Sequence, residues 1–422
     1  MSKRINTISP FWHRIDPVAR RLIGLRTARS LGQGALVVDL ALYLKALGWS
    51  GLAIGGALAG TGLIAAMLSM LVGIVSDRTQ RRGFLVMAEV LTIACAIAAF
   101  LSADPWVLVP AIVLAGFGRG ANGAASFFGP AEQAWLAGIV RPSERGYVYS
   151  LNLAAGATGM AAGAALGVLP EVLAPSMGAG AAFRILFLIP LAGSLVNLAS
   201  LMGLREPPRA PVHERPALHL RRRSRENHAL AWLAGLNGIN GFGIGLISPL
   251  LSYWFAVRFG IGPAAIAPFM AATFLVSGVA SVGTGLLSRR VGVVPAVVSV
   301  RLLGVLLLLI VPVAPFYALA AGAYALRSAL NRGSVGARQA LVVSLVGDQR
   351  RGFAVSLNAA SFQYAQAAGP ALAGALIDVG YLMTPFFLAA VLQTAYVGGY
   401  WWAFRNHDPA RKKPEEAGRD ET

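Results

Sequence analysis

The sequence predicts an all-α membrane protein, with twelve transmembrane helices in two pseudo-symmetric six-helix bundles. Three observations carry this. First, of 422 residues 56% are hydrophobic and only 13% charged, with a mean hydropathy of +0.64, whereas a soluble domain is about 25% charged. Second, the apolar residues fall into twelve runs near or above the roughly 20 residues that cross a bilayer as a helix. Third, the last six runs repeat features of the first six at a nearly constant offset.

The runs, numbered here as spans 1 to 12, cover residues 23–47, 52–75, 84–102, 106–139, 147–173, 183–204, 229–257, 263–287, 293–312, 316–345, 353–380 and 384–404. Residues 1–204 form the first half, 205–228 a linker with seven Arg, 229–404 the second half and 405–422 a polar tail. The 49 Gly and 23 Pro follow no collagen period, and both residues are frequent in transmembrane helices.

Lys and Arg retained on the cytoplasmic side orient a membrane chain. With a cytoplasmic start, 26 of the 36 Lys and Arg fall on the inside and only Arg184 and Arg258 in outside connections. Both termini are therefore expected in the cytoplasm, with the linker, as a multi-pass protein of a bacterial cytoplasmic membrane. The net charge of +18 then reports topology, and no nucleic-acid partner is expected. The basic start runs into a span too long and polar for a leader's apolar segment, so no cleaved leader is expected.

The repeat is explicit. Arg145-Gly-Tyr-Val-Tyr-Ser-Leu-Asn152 recurs 206 residues later as Arg351-Gly-Phe-Ala-Val-Ser-Leu-Asn358. Gly32-Gln-Gly34 falls on Gly243-Ile-Gly245 at an offset of 211, and Gly73-Ile-Val-Ser-Asp-Arg78 on Gly285-Leu-Leu-Ser-Arg-Arg290 at 212. Six spans followed by a related six, both starting inside, make parallel repeats, with a binding site expected at mid-membrane between them.

Polar residues within the spans are the functional candidates, because an ionisable group in a membrane is costly unless paired or facing water. In span 1, Arg26 and Arg29 near the inner end and Lys45 near the outer end are expected to reach the interface by snorkelling. Asp39 lies eight residues from the end of that span, about 12 Å inside it, and aligns with apolar Leu250. It is the first candidate for a proton or cation site. Span 4 carries Arg119, and span 10, its repeat equivalent, carries Arg327 and Arg332. Glu89 in span 3 and Arg301 in span 9 align at an offset of 212 and are expected to be structural. Gln33, Tyr43, Asn122, Asn237, Asn240, Tyr253, Gln363 and Gln366 complete the polar set, as cavity lining or as interhelical hydrogen bonds. Trp106, Trp401 and Trp402 stand at span ends as interface anchors.

Four elements then resemble the major facilitator superfamily over nearly the whole chain. Gly73-x-x-x-Asp77-Arg78-x-x-Arg81-Arg82, between spans 2 and 3, is similar to the family's signature loop, with Gln80 where a Gly is usual. Arg119-Gly-Ala-Asn122-Gly123 in span 4 resembles the family's Arg-x-x-Gln-Gly element, with Asn in place of Gln. Ala155, Gly159, Gly163 and Gly167 recur every fourth residue in span 5, and Gly369-Pro370-Ala-Leu-Ala-Gly374 follows in span 11. The span 5 stripe resembles the antiporter glycine motif but lacks its Pro, which stands in the span 11 repeat partner; physically both are smooth strips for close helix packing.

The resemblance implies that spans 1, 4, 7 and 10 line one central cavity. Asp39 and Arg119 would there serve proton coupling, and Arg327 and Arg332 substrate binding, with the neutral residues above. It also implies a latch of Gly73, Asp77, Arg78, Arg81 and Arg82 with the acid Glu132 of span 4, in which Asp77 holds span 11 closed from inside.

The pattern is closest to multidrug/proton antiporters. It implies a secondary transporter of a small molecule, driven by protons and directed outward, working as a monomer in the lipid bilayer. An organic-anion or metabolite carrier using the cavity arginines is the alternative, and a non-transporting membrane protein the remote one. The five His all lie outside the spans and Cys95 is the single cysteine, so neither a His-based site nor a disulfide is expected within the membrane. No Gly-x-x-x-x-Gly-Lys-[Ser/Thr] occurs, which leaves direct ATP use unsupported. No enzyme activity, cofactor or metal is expected.

Overall fold

The computed structural model describes residues 15–76, 80–119, 129–140, 145–204, 206, 220–346 and 351–405. Among them the secondary structure is helical, with no strand. Six helical stretches among the described residues are long and apolar enough to cross a membrane, Gly51–Val72, Arg81–Leu101, Val148–Met177, Ala179–Met202, Glu226–Phe259 and Val293–Val313.

Local sequence sets where helices start and stop. Span 1 is the helix Pro17–Ala46, begun by an Asp-Pro pair: the Asp16 carboxylate accepts from the Val18 amide at 2.7 Å and Pro17 occupies a first-turn position. An Asp side chain satisfies an otherwise orphaned amide there, and Pro has no amide to lose. Asp104-Pro105 repeats the device at the start of span 4, where Asp104 accepts from the Trp106 amide at 2.8 Å. That helix, Pro105–Ala115, stops after three turns. Gly116 and Gly118 take φ of 72° and 77°, a region that a side chain disfavours, and the inner part of the span resumes as Gly129–Ile139.

Span 7 starts well before the apolar run, as Leu220–Gly245. Its first turns belong to the expected linker, because Arg and Glu are good helix formers even outside an apolar run. Span 10 is likewise two helices, Tyr317–Gly333 and Val335–Ser344. Spans 9 and 12, Val293–Val313 and Thr384–Phe404, follow their apolar runs closely.

Tertiary contacts divide the chain into two compact units. Unit 1 comprises Met1–Leu47, Ile64–Ala210 and Pro263–Ala271. Its core gathers Leu22, Leu25, Leu85, Trp135, Leu136 and Leu201, and its most extensive packing is span 1 on span 5. Glycine makes that packing close. A Cβ on Gly159 would lie 2.5 Å from the Thr27 carbonyl oxygen, and one on Gly163 only 1.9 Å from that of Leu31. The span 5 stripe is thus a helix-packing surface against span 1.

Unit 2 comprises Gly48–Leu63, Pro211–Gly262 and Ala272–Thr422. Leu233, Leu236, Val294, Val297, Tyr396 and Phe404 form much of its core, and span 7 on span 11 is its most extensive contact, the repeat equivalent of spans 1 and 5. Gly241 and Gly245 of span 7 face the carbonyls of Phe362 and Gln366.

Candidate functional site

In unit 1 the charges of three spans converge, joined by an amide of a fourth. Arg29 of span 1 donates from Nη1 to Glu132 Oε2 at 2.7 Å, and from Nη2 and Nε to Glu89 Oε1 at 2.7 and 3.2 Å. Arg26, one turn earlier, lies 3.6 Å from the other Glu132 oxygen. Asn197 of span 6 donates to Glu89 at 3.2 Å and to the Leu25 carbonyl at 3.3 Å. The expectation that Arg26 and Arg29 extend to the membrane surface is corrected: both guanidinium groups turn inward. Two carboxylates facing them explain this, since a buried charge is tolerated when paired and hydrogen-bonded. Lys45 is exposed, as expected of a snorkelling residue.

The second unit answers with neutral partners. Arg301, the repeat equivalent of Glu89, donates to Asn240 Oδ1 at 3.0 Å and Ser334 Oγ at 3.3 Å, with the Tyr396 ring centroid 5.3 Å away. Arg327 is 2% exposed, stacks 5.6 Å from the Tyr324 ring centroid, and leaves Nε and Nη2 without a hydrogen-bond partner. Arg332 sits 5.2 Å from the Phe274 centroid. A guanidinium attracted to a ring face is partly compensated for lost water.

Asp39 is 0% exposed, and both carboxyl oxygens lack a hydrogen-bond partner. Its Oδ2 rests on span 5, where a Cβ on Gly167 would lie 2.7 Å away; that same Cβ would meet Ala267 at 3.2 Å. No ion pair joins Asp39 to Arg119 or to any other described residue. Arg119 is half-buried, directly after the Gly116–Gly118 break in span 4. The outer helix of span 4 ends at Ala115, before Arg119.

The remaining candidates divide between structural and open roles. Gln33 donates to the Gly116 carbonyl at 3.1 Å, securing span 1 to the end of the outer span 4 helix. Tyr43 packs between Phe183 and Phe187, with centroids 5.9 and 6.0 Å away. Asn237 donates to Asn358, and Asn240 serves Arg301. These two span 7 amides act as interhelical hydrogen bonds. Tyr253 is buried, while Gln363 and Gln366 are half-buried. Trp106, 88% exposed, and the exposed Trp401 and Trp402 are placed as anchors would be.

In the expected latch, Asp77, Arg78 and also Asn122 of the cavity set lie outside the described residues. Gly73 is helical, and Arg81 passes span 4, with Nη1 3.5 Å from a Cβ placed on Gly138. Arg82 caps span 6, its Nε and Nη2 donating at 3.0 Å to the carbonyls of Leu201 and Met202. A helix C-terminus leaves such carbonyls unpaired, and a cation there is favourable. Glu132 is engaged by span 1 as described. Sequence reasoning missed Asn197, whose side chain is one polar group in an apolar run; only the meeting of spans 1, 3 and 6 gives it a role.

The sequence profile described as Major Facilitator Superfamily matches residues 22–238 and 233–421. Among curated relatives, a "Multidrug resistance protein MdtH" of Cronobacter sakazakii is 30% identical over 155 residues, 33% of this chain and 37% of its own length. Its counterpart from Yersinia pestis strain Pestoides F is 31% identical over 146 residues, 35% of this chain and 31% of its own. The chain thus matches about a third of the length of these relatives. Solved structures align far more completely. A bacterial homolog of the human lysosomal transporter Spinster, inward-facing and unoccupied, gives a TM-score of 0.69 at 15% identity, over 94% of this chain and 98% of its own. The nucleoside transporter NupG gives 0.68 at 14% identity, over 92% and 99%. A D-xylose-proton symporter gives 0.69 at 13%, over 91% and 97%. These likenesses show the fold.

Proposed function

The chain belongs to the Major Facilitator Superfamily, a multi-pass membrane transporter fold, and on that premise we propose that it exports a small molecule against an inward flow of protons, with Asp39 as the proton-carrying acid. The observation that carries this reading is the isolation of Asp39: fully buried in span 1, with neither oxygen hydrogen-bonded. Among the described residues a carboxylate charge so placed has no counter-ion, and taking up a proton removes it. An acid whose charge depends on whether water reaches it couples proton movement to a change of conformation. Outward direction draws support from the multidrug-resistance relatives, which match part of the chain. The excess of Lys and Arg on one side of the spans supports cytoplasmic termini in a bacterial cytoplasmic membrane.

The test uses purified protein in sealed vesicles with an imposed pH gradient and an amphipathic cationic dye as probe. Asp39→Asn is a permanent mimic of the protonated acid: it abolishes gradient-driven dye movement and spares downhill exchange. Full gradient-driven movement by Asp39→Asn would place the coupling site elsewhere.

One observation favours a second reading. Arg327 keeps two buried guanidinium nitrogens, Nε and Nη2, without hydrogen-bond partners, a disposition suited to an anion. In an anion carrier that guanidinium binds substrate directly.

A further inference from the structure

Two carboxylates at the far ends of spans 5 and 11 have no part in the reading above, and both are used in the same way. In unit 2, Asp378 accepts from the backbone amides of Gly51 at 2.6 Å and Leu52 at 2.8 Å, the first residues of the span 2 helix. In unit 1, Glu171 accepts from the amide of Ala264 at 2.7 Å, the second residue of the span 8 helix Pro263–Val291. Leu52 and Ala264 stand 212 residues apart, the offset that also relates the two signature-loop segments. Glu171 and Asp378 stand 207 apart, one more than the offset of spans 5 and 11. The repeat thus places a carboxylate on equivalent helix starts twice.

Each of these bonds joins a first-half segment to a second-half segment within one compact unit. Span 2 contributes Gly48–Leu63 to the unit built on spans 7 and 11, and span 8 contributes Pro263–Ala271 to the unit built on spans 1 and 5. Small residues bring the backbones together beneath each bond. A Cβ on Gly374 would lie 1.9 Å from the Gly51 carbonyl oxygen and one on Gly55 2.1 Å from that of Pro370. In unit 1, Gly167 faces Ala267 beside Asp39. Carboxylate charge is favoured at a helix N-terminus, where the first amides are unpaired and the helix dipole is positive.

We infer that Glu171 and Asp378 are paired clasps that hold the outer side of the transporter shut, each by capping the first turn of a helix from the other half of the sequence. The inference rests on the proposed reading of transport coupled to a change of conformation that opens one side at a time, and on the topology that puts residues 47–50, 178, 260–262 and 379–383 outside. Opening that side separates span 8 from span 5 and span 2 from span 11, which breaks both sets of bonds and uncovers Asp39 beneath Ala267.

The experiment measures reaction of an impermeant maleimide, applied outside cells, with cysteines that replace buried Ala267 or Leu58 in a Cys95→Ala background. Ser50→Cys, in an exposed connection, controls for reagent access. The Glu171→Ala/Asp378→Ala variant labels about tenfold faster at both buried probes, and each single variant about threefold faster, with Ser50→Cys unchanged. Unchanged labelling at both probes in the double variant overturns the clasp. Should the double alanine variant fail to fold, Glu171→Gln/Asp378→Asn removes the charges and keeps an acceptor. It labels about threefold faster than the parent, and no increase overturns the proposal equally. Gradient-driven dye movement measured in the same variants separates the two readings. Unchanged labelling with intact transport defeats the clasp alone, whereas accelerated labelling beside a fully coupled Asp39→Asn leaves the clasp and removes the proton site.

Discussion

Arg29 lies between Glu132 and Glu89, 2.7 Å from an oxygen of each, so that one span 1 guanidinium ties span 4 to span 3 inside unit 1. Arg26 adds a second positive charge at 3.6 Å from Glu132, and the four groups balance formally. Removing one partner from such a cluster leaves an uncompensated buried charge, which costs about 3 to 5 kcal/mol.

Arg29→Leu is therefore expected to destabilise unit 1 by about 3 kcal/mol or more, because it leaves Glu89 without a cation, leaves Glu132 only the longer Arg26 contact, and removes three hydrogen bonds. Glu132→Gln, which leaves Arg29 bound to Glu89, costs less. Thermal unfolding of the purified variants reads the order, and equal transitions for both would show that the cluster is not cooperative.

Asp77 and Glu132 separate by the same logic. If the signature loop acts as an inner latch, Asp77→Asn shifts spin-label distances between the inner ends of spans 4 and 10 and leaves the unfolding temperature nearly unchanged. Glu132→Gln lowers that temperature through Arg29. A melting loss in Asp77→Asn as large as in Glu132→Gln would assign the loop acid to the structure of the unit instead.

Helix packing gives a prediction free of charge. Gly163→Ala forces span 5 away from the Leu31 carbonyl, 1.9 Å from the new Cβ, at about 1 to 3 kcal/mol. Gly56→Ala meets nothing within 4 Å and is neutral or stabilising by a few tenths of a kcal/mol, since Ala is the better helix former. A melting comparison in one detergent decides it, and equal temperatures would contradict the packing described.

Substrate class divides on Arg327. Arg327→Ala abolishes transport of an organic anion and changes transport of a cationic dye by less than about threefold, whereas Arg119→Ala lowers both. Loss of dye transport in Arg327→Ala would move that guanidinium from substrate recognition into the working structure of unit 2.

Topology is open to labelling in whole cells. With Cys95→Ala, cysteines at the exposed Ser50 and Tyr381 react with an impermeant reagent applied outside, and one at Pro216 in the linker does not. Labelling at Pro216 in sealed cells would invert the orientation.

The sequence alone determined the helices and their repetition. Spans 9 and 12 are legible to within a residue because an apolar run of about 20 residues has no other stable state in a bilayer; Gly292 marks where the first of these runs starts and the polar tail where the second stops. The duplicated Arg-Gly and Ser-Leu-Asn segments likewise made the two halves readable. Tertiary structure decided which charges meet. Arg29 finds its acids 60 and 103 residues away, and Asp378 finds its amides more than 300 residues back. Local pattern carries no record of such pairings, because a side chain is satisfied by whatever group the packed helices bring within about 3 Å. Asp39 shows the same division from the other side. Its position inside span 1 was readable, but that its oxygens find no hydrogen-bond partner among the described residues emerged only from the packing, in which span 5 presents Gly167, a residue with no side chain to pair with it.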